Sequence, residues 1–241
     1  MVQSRRPRAE RGVIKHCTLR TDGDVRQIRN TVEFDLRLDK AIGALSLPGV
    51  MIGHRVISPG DENALMPAEA AAFAASVVAV RRASGAARIV ARRLLANIGI
   101  VGCALPKAQG GAPVWPPGIV GSISHDSRVA MAAIARCRDF SAIGIDIEPA
   151  ERLPPDLLDI VATPQERARI SDDPFAGRLL FAAKEAVYKA VYPLDRTFLD
   201  HHDVQIDLTH GRAIVRNSRT VELKYSTDEH VVVLAFLRAS N

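Results

Sequence analysis

Between Gly118 and Pro149 three strand-like runs follow one another, "GIVGSISH" (118–125), "RVAMAAIAR" (128–136) and "SAIGIDIEP" (141–149), with only short polar stretches between them. Connections that short join antiparallel neighbours, so the spacing predicts an antiparallel meander. Side chains alternate along a strand. In the third run Ile143, Ile145 and Ile147 therefore share one face, and Asp146 and Glu148 share the other. Two carboxylates that close repel each other unless positive charge sits between them. A metal ion would supply it, whereas the simpler reading makes the pair the solvent face of an edge strand.

Around this meander the chain alternates strand and helix signals. A strand is predicted over "GVMIGHRVI" (49–57), followed by an alanine-rich helical stretch that Gly85 breaks into two helices and Gly99 stops. The segment "PKAQGGAPVWPPG" (106–118) is dense in proline and glycine and marks the boundary between halves. Thr163, Pro164 and Glu166 have the form of a helix start: a cap, a proline at the first position and a capping-box acid. A long helix is predicted over "FAGRLLFAAKEAVYKAVY" (175–192), halted by Pro193, and two strands over "DVQIDL" (203–208) and "VVVLAFL" (231–237). The mixture indicates an α+β fold, divided into a loosely held extension over 1–42, an N-terminal half over 43–118 and a C-terminal half over 119–241.

With 47% hydrophobic residues in 241 the chain can build an ordinary core. No apolar run approaches bilayer length and the first residues lack a signal-like apolar stretch, so a cytoplasmic protein is expected. Cys17, Cys103 and Cys137 lack C-x-x-C spacing and are read as free thiols. A formal charge of +5 favours an acidic partner without choosing among nucleic acid, a phosphorylated cofactor and an acidic protein. Aromatic residues make up only 5% of the chain, which weakens a reading based on stacked single-stranded bases.

Three stretches carry candidate chemistry. On the long helix Leu180, Ala183, Val187 and Val191 form an apolar stripe, with Glu185 and Lys189 four residues apart and off it. Taken alone that pair is a surface helix pair worth a few tenths of a kcal/mol. If the helix instead packs against the acid-bearing strand, Glu185 is a third carboxylate, and three hard oxygen donors suit Mg²⁺. Ser122, Ser124 and His125 lie together in "GSISH", but the pattern is not the G-x-S-x-G of a nucleophile elbow. A histidine there reads as a turn residue or as a donor to a phosphate.

In order, "GSISH", "GIDIEP" and "FAAKEAVYKA" strongly resemble the 4'-phosphopantetheinyl transferases of the surfactin and enterobactin synthetase type. The likeness extends over about residues 45 to 237. It implies a pseudo-dimer of two similar α+β halves, each a small antiparallel sheet packed with helices, with coenzyme A bound in the cleft between them. It implies Mg²⁺ ligands at Asp146, Glu148 and Glu185, with Glu185 also the general base for the carrier-protein serine and Lys189 the group that stabilises or protonates the leaving phosphate. Lys184 and Tyr188 match positions near the phosphates. Arg81 and Arg88 resemble arginines that hold the nucleotide's phosphates, and Ser124 and His125 the donors near the 3'-phosphate. The chain departs from the pattern at "RASGAAR", and before the W-P loop Lys107 stands in for a missing basic residue.

The resemblance implies a Mg²⁺-dependent transferase that moves phosphopantetheine from coenzyme A to a serine of acyl or peptidyl carrier proteins and releases adenosine 3',5'-bisphosphate. Such a protein is expected to act as a monomer on acidic carriers, in secondary metabolism or siderophore assembly, with neither nucleic acid nor membrane as a partner. Two rivals are a non-catalytic module of the same fold that binds the carrier or coenzyme A, and a basic nucleic-acid-binding protein. Duplex binding with steep salt dependence and no coenzyme A requirement would mark the last.

Overall fold

The computed structural model describes residues 36–170, 173–216 and 219–240. They belong to one compact unit, Asp35–Asn241; the unit Met1–Phe34 and most of the expected extension lie outside the described residues. The part of that extension which is described is not loose. Residues 36–44 form helix α1, because Leu38, Ala41 and Leu45 recur on one face and are buried.

The first sheet has three antiparallel strands. Strand β1 (Val50–Val56) is followed by the short helix α2 (Pro67–Ala70) and the long helix α3 (Val78–Asn97), and then by β2 (Ile119–His125) and β3 (Val129–Arg136). Their order is β1-β3-β2, with β3 buried along nearly its whole length. Helix α3 packs Val90, Ala91, Leu94 and Leu95 on Ile119, Ala132 and Ile134. Each of the valine, leucine and isoleucine side chains contributes about 1.5–3 kcal/mol by leaving water, and each alanine about 1 kcal/mol or less. Gly99 stops α3 as expected, at φ 85° just past its end.

Gly85 does not break the helix, which runs through it without interruption. Its role is close approach: a Cβ there would overlap the carbonyl oxygen of Asp61 in the adjoining turn Asp61–Ala64. Asp61 in turn accepts from Arg55 Nη2 (2.8 Å) and the Ser58 amide (2.9 Å), so that turn has little room to retreat. Alanine at 85 would gain about 1 kcal/mol of helix propensity, but the collision is with backbone. Gly85→Ala is therefore expected to lower stability by about 3 kcal/mol, read as an earlier urea midpoint at unchanged slope.

The second sheet begins with β4 (Phe140–Pro149). The chain then passes through α4 (Pro155–Val161), α5 (Pro164–Arg167) and α6 (Ala176–Asp195), and adds β5 (Val204–Asp207), β6 (Arg212–Val215), β7 (Thr220–Thr227) and β8 (His230–Arg238). The antiparallel order is β4-β8-β7-β6-β5. The meander expectation holds for β2 and β3 and fails for β4, which pairs with β8 (Asp146↔Val233, Glu148↔Val231). The expected division at 118/119 precedes two strands that hydrogen-bond within the β1 sheet; the change of sheet comes between β3 and β4 instead. The molecule is thus α+β, two antiparallel sheets each covered by a long helix, with β2 of one packed beside β4 of the other.

Helix α6 covers the second sheet, where Ala183, Ala186, Val187 and Ala190 pack on Ala142, Val231, Val233 and Ala235. Pro193 does not halt it. The proline forfeits one backbone donor in the last turn, and the helix ends three residues on at Arg196, at φ 60°. The capping box at Thr163 forms as read, with the Glu166 amide donating to Thr163 Oγ1 (3.2 Å) and Glu166 Oε2 accepting from the Thr163 amide (2.9 Å). Cys103 and Cys137 are free thiols, and Cys17 lies outside the described residues. Among the described residues no helix is long and apolar enough to cross a membrane.

Candidate active site

Ala142, Gly144, Asp146 and Glu148 alternate onto the face of β4 that α6 covers. Gly144 sets the spacing: a Cβ there would overlap the Ala186 carbonyl oxygen, so only glycine lets the helix lie this close. That approach brings Lys189 onto the strand. Its Nζ donates to Asp146 Oδ1 (2.6 Å) and to Ser124 Oγ (2.9 Å), while Ser124 Oγ donates to Asp146 Oδ1 (2.8 Å). Lys189 is therefore a cross-element cation, not half of a surface helix pair, and Asp146 is 3% exposed, which excludes a solvent-facing edge.

The three acids differ in state. Asp146 Oδ2 is buried with no hydrogen-bond partner among the described residues. Glu148 accepts from Arg178 Nη1 (3.1 Å), yet burial, with Asp146 adding to it, pushes its pKa up to about 7. Burial also raises Glu185, again with Asp146 adding, against the opposing charges of Lys189 and His201. Sequence reasoning missed Arg178, whose only signal is a position on α6 two turns before Glu185.

Glu185, Tyr188, Lys189 and Lys107 line one cavity of about 260 Å³ between the 106–113 loop, β2 and α6. The Tyr188 ring rests against Tyr192 (5.3 Å between centroids) and Phe198 (5.8 Å), and Lys107 Nζ lies 5.5 Å from the Phe73 ring centre. His125 closes β2, its Nδ1 3.3 Å from the Asp126 carbonyl oxygen. A larger cavity, about 550 Å³, lies away from the acids between α5, α6 and β5.

Two expected ligand contacts are turned inward. Arg88 is 2% exposed; its Nε donates to the Leu105 carbonyl (3.0 Å) and its Nη1 to that of Ser84 (3.2 Å), with Glu69 3.8 Å away and Phe73 stacked on it. Burial lowers its pKa, with Glu69 opposing. Lys184 is also 2% exposed, and its three donors go to Glu166 Oε2 (2.7 Å), the Val161 carbonyl (2.8 Å) and the His201 carbonyl (2.8 Å). In this structure both cations brace the core. Arg81 is only partly buried, and its Nε has no partner among the described residues.

Residues 68–135 match the model of the 4'-phosphopantetheinyl transferase N-terminal domain, and residues 142–235 that of the 4'-phosphopantetheinyl transferase superfamily. The chain is 43% identical to 4'-phosphopantetheinyl transferase Npt of Nocardia iowensis, over 66% of this chain and 73% of that protein. The chain belongs to the 4'-phosphopantetheinyl transferase superfamily. It is also 37% identical to 4'-phosphopantetheinyl transferase Svp of Streptomyces mobaraensis, over 62% of this chain and 63% of that protein. With enterobactin synthase component D of Salmonella typhimurium it shares 43% identity over 32% of this chain and 34% of that protein.

In this phosphopantetheinyl transferase family member no three His, Cys, Asp or Glu side chains converge as a metal cluster among the described residues. Lys189 compensates Asp146 instead, and Glu148 is compensated by Arg178. The donor set nonetheless fits a hard divalent cation. Among the described residues a buried carboxylate oxygen lacks a partner, and burial, with the neighbouring Asp146 charge adding to it, raises the pKa values of Glu148 and Glu185, an oxygen-rich setting of the kind a hard cation suits.

Proposed function

We propose that this protein transfers the 4'-phosphopantetheine group of coenzyme A to a serine of acyl or peptidyl carrier proteins, releasing adenosine 3',5'-bisphosphate. The observation that supports this most is the meeting of Glu185 and Lys189 in one cavity beside the unpartnered oxygen of Asp146. Asp146, Glu148 and Glu185 would hold Mg²⁺, which when bound offsets the charge of the coenzyme A pyrophosphate. Glu185 takes the proton of the carrier serine as its oxygen bonds to the β-phosphate, and a raised pKa suits it to that task. The phosphoanhydride bond breaks, and Lys189 at the wall of the cavity stabilises or protonates the departing phosphate.

Ser124 and His125 serve the 3'-phosphate in this reading, with Arg81, Tyr188 and Lys107 toward the rest of the nucleotide. The formal charge of +5 favours encounter with acidic carriers. The protein acts in the cytoplasm as a monomer. Intact-protein mass spectrometry of apo-carriers incubated with the protein, coenzyme A and Mg²⁺, with a chelator in a parallel tube, tests the proposal. A phosphopantetheine-sized gain is expected and should vanish with the chelator. A folded protein that binds coenzyme A but modifies none of a broad carrier panel would favour the non-catalytic module.

A further inference from the structure

The buried pair Asp126 and His230 is used by none of the chemistry above. Asp126 lies in the β2–β3 turn directly after His125, and His230 opens β8 opposite Pro149, beside the acid-bearing end of β4. The Nε2 of His230 is 2.9 Å from Asp126 Oδ2, and their side chains are 5% and 7% exposed. The other oxygen, Asp126 Oδ1, accepts from the backbone amides of Arg128 (2.6 Å) and Val129 (2.7 Å), and the Asp126 amide donates to the Val129 carbonyl (3.0 Å). The carboxylate thus holds the turn together with one oxygen and reaches into the other half with the second. Its pKa is lowered: burial, the largest single influence, would raise it, and the bonds from His230, Val129 and Arg128 outweigh that.

We infer that Asp126 and His230 form a positioning strut that fixes the donor end of β2 over the carboxylate end of β4. His125 Nδ1 meets the carbonyl of Asp126, and Ser124 bonds across to Asp146, so the placement of both donors depends on where the β2–β3 turn is anchored. The strut ties that turn to β8, the strand on which β4 is registered. Neither residue needs to touch the ligand; the pair acts through Ser124 and His125, and the inference rests on the coenzyme A reading of those two.

Two near-isosteric variants test it. The amide nitrogen of His230→Gln reaches the level of Nε2 and can still donate to Asp126, whereas the amide of His230→Asn ends at the level of Nδ1 and falls short. The expected result is that the Asn variant binds coenzyme A about tenfold more weakly by calorimetry, with KM for coenzyme A raised alike and kcat at saturation within about twofold of the parent. The Gln variant should stay within about threefold of the parent in all three. Parental affinity in a folded Asn variant overturns the strut, as does a fall in kcat at unchanged KM. Should the Asn variant fail to fold, the Gln variant decides: parental affinity supports the strut, and a folded Gln variant tenfold weaker overturns it. A parent protein that neither binds coenzyme A nor modifies a carrier overturns the functional reading and the strut with it, which separates that failure from failure of the strut alone.

Discussion

Glu185→Ala is expected to lower phosphopantetheine transfer by about three orders of magnitude or more while leaving the protein folded. Loss of a positioned general base costs about 10²–10⁴ in rate, and Glu185 is also a proposed metal ligand, which puts the expected loss toward the upper end. The fold should survive because burial and the nearby Asp146 charge disfavour the Glu185 carboxylate, so its removal relieves repulsion. The time course of mass gain on an apo-carrier, with the thermal melt as control, reads both quantities. Undiminished turnover in the variant would defeat the assignment of the site.

The largest stability effect is expected one residue earlier. Lys184→Met removes a buried ammonium that meets Glu166 and two backbone carbonyls, leaving the buried Glu166 carboxyl with only backbone amides for partners. Breaking one side of a buried pair costs about 3–5 kcal/mol, which for a chain of this size lowers Tm by about 10 °C. Adding Glu166→Gln should recover part of the loss, since the amide oxygen can still accept from the backbone and no charge is stranded. A melt of Lys184→Met within a degree or two of the parent would show that the three contacts contribute little. The neighbouring positions thus separate cleanly: Glu185 is spent on chemistry and Lys184 on holding α6 against α5 and the His201 turn.

The strands and helices read from the sequence were those with a dense local signal. Strand β4 alternates two acids against three isoleucines, the capping box at Thr163 lies within four residues, and α6 carries a continuous apolar stripe. Helices α1 and α4 and strands β6 and β7 carry a weaker local signal. Strand β6 is only four residues long, and β7 buries only Val221 and Leu223 among polar neighbours such as Glu222 and Lys224, so each gives a weak apolar pattern although both lie inside the sheet. Gly85 misled because a glycine in a helix reads as a break, and the turn it admits lies more than twenty residues earlier in the chain.

For the candidate site, the local pattern of residues is enough to show two acids on one face of a strand, a Glu and a Lys one helical turn apart, and a Ser-His end to β2. Those are local periodicities, set by backbone geometry that every strand and helix shares. Where each side chain points is set by packing between elements. Arg88 and Lys184 look like ligand-binding cations in one dimension, but their partners Leu105, Glu69, Glu166 and His201 are distant in sequence and are brought to them by packing. Lys189 reaches Asp146 only because Gly144 lets α6 sit close on β4, and β4, hydrogen-bonded to β8 in the second sheet, packs beside β2 of the first. Such choices depend on contacts between residues 17 to 43 positions apart, which no short window of sequence contains.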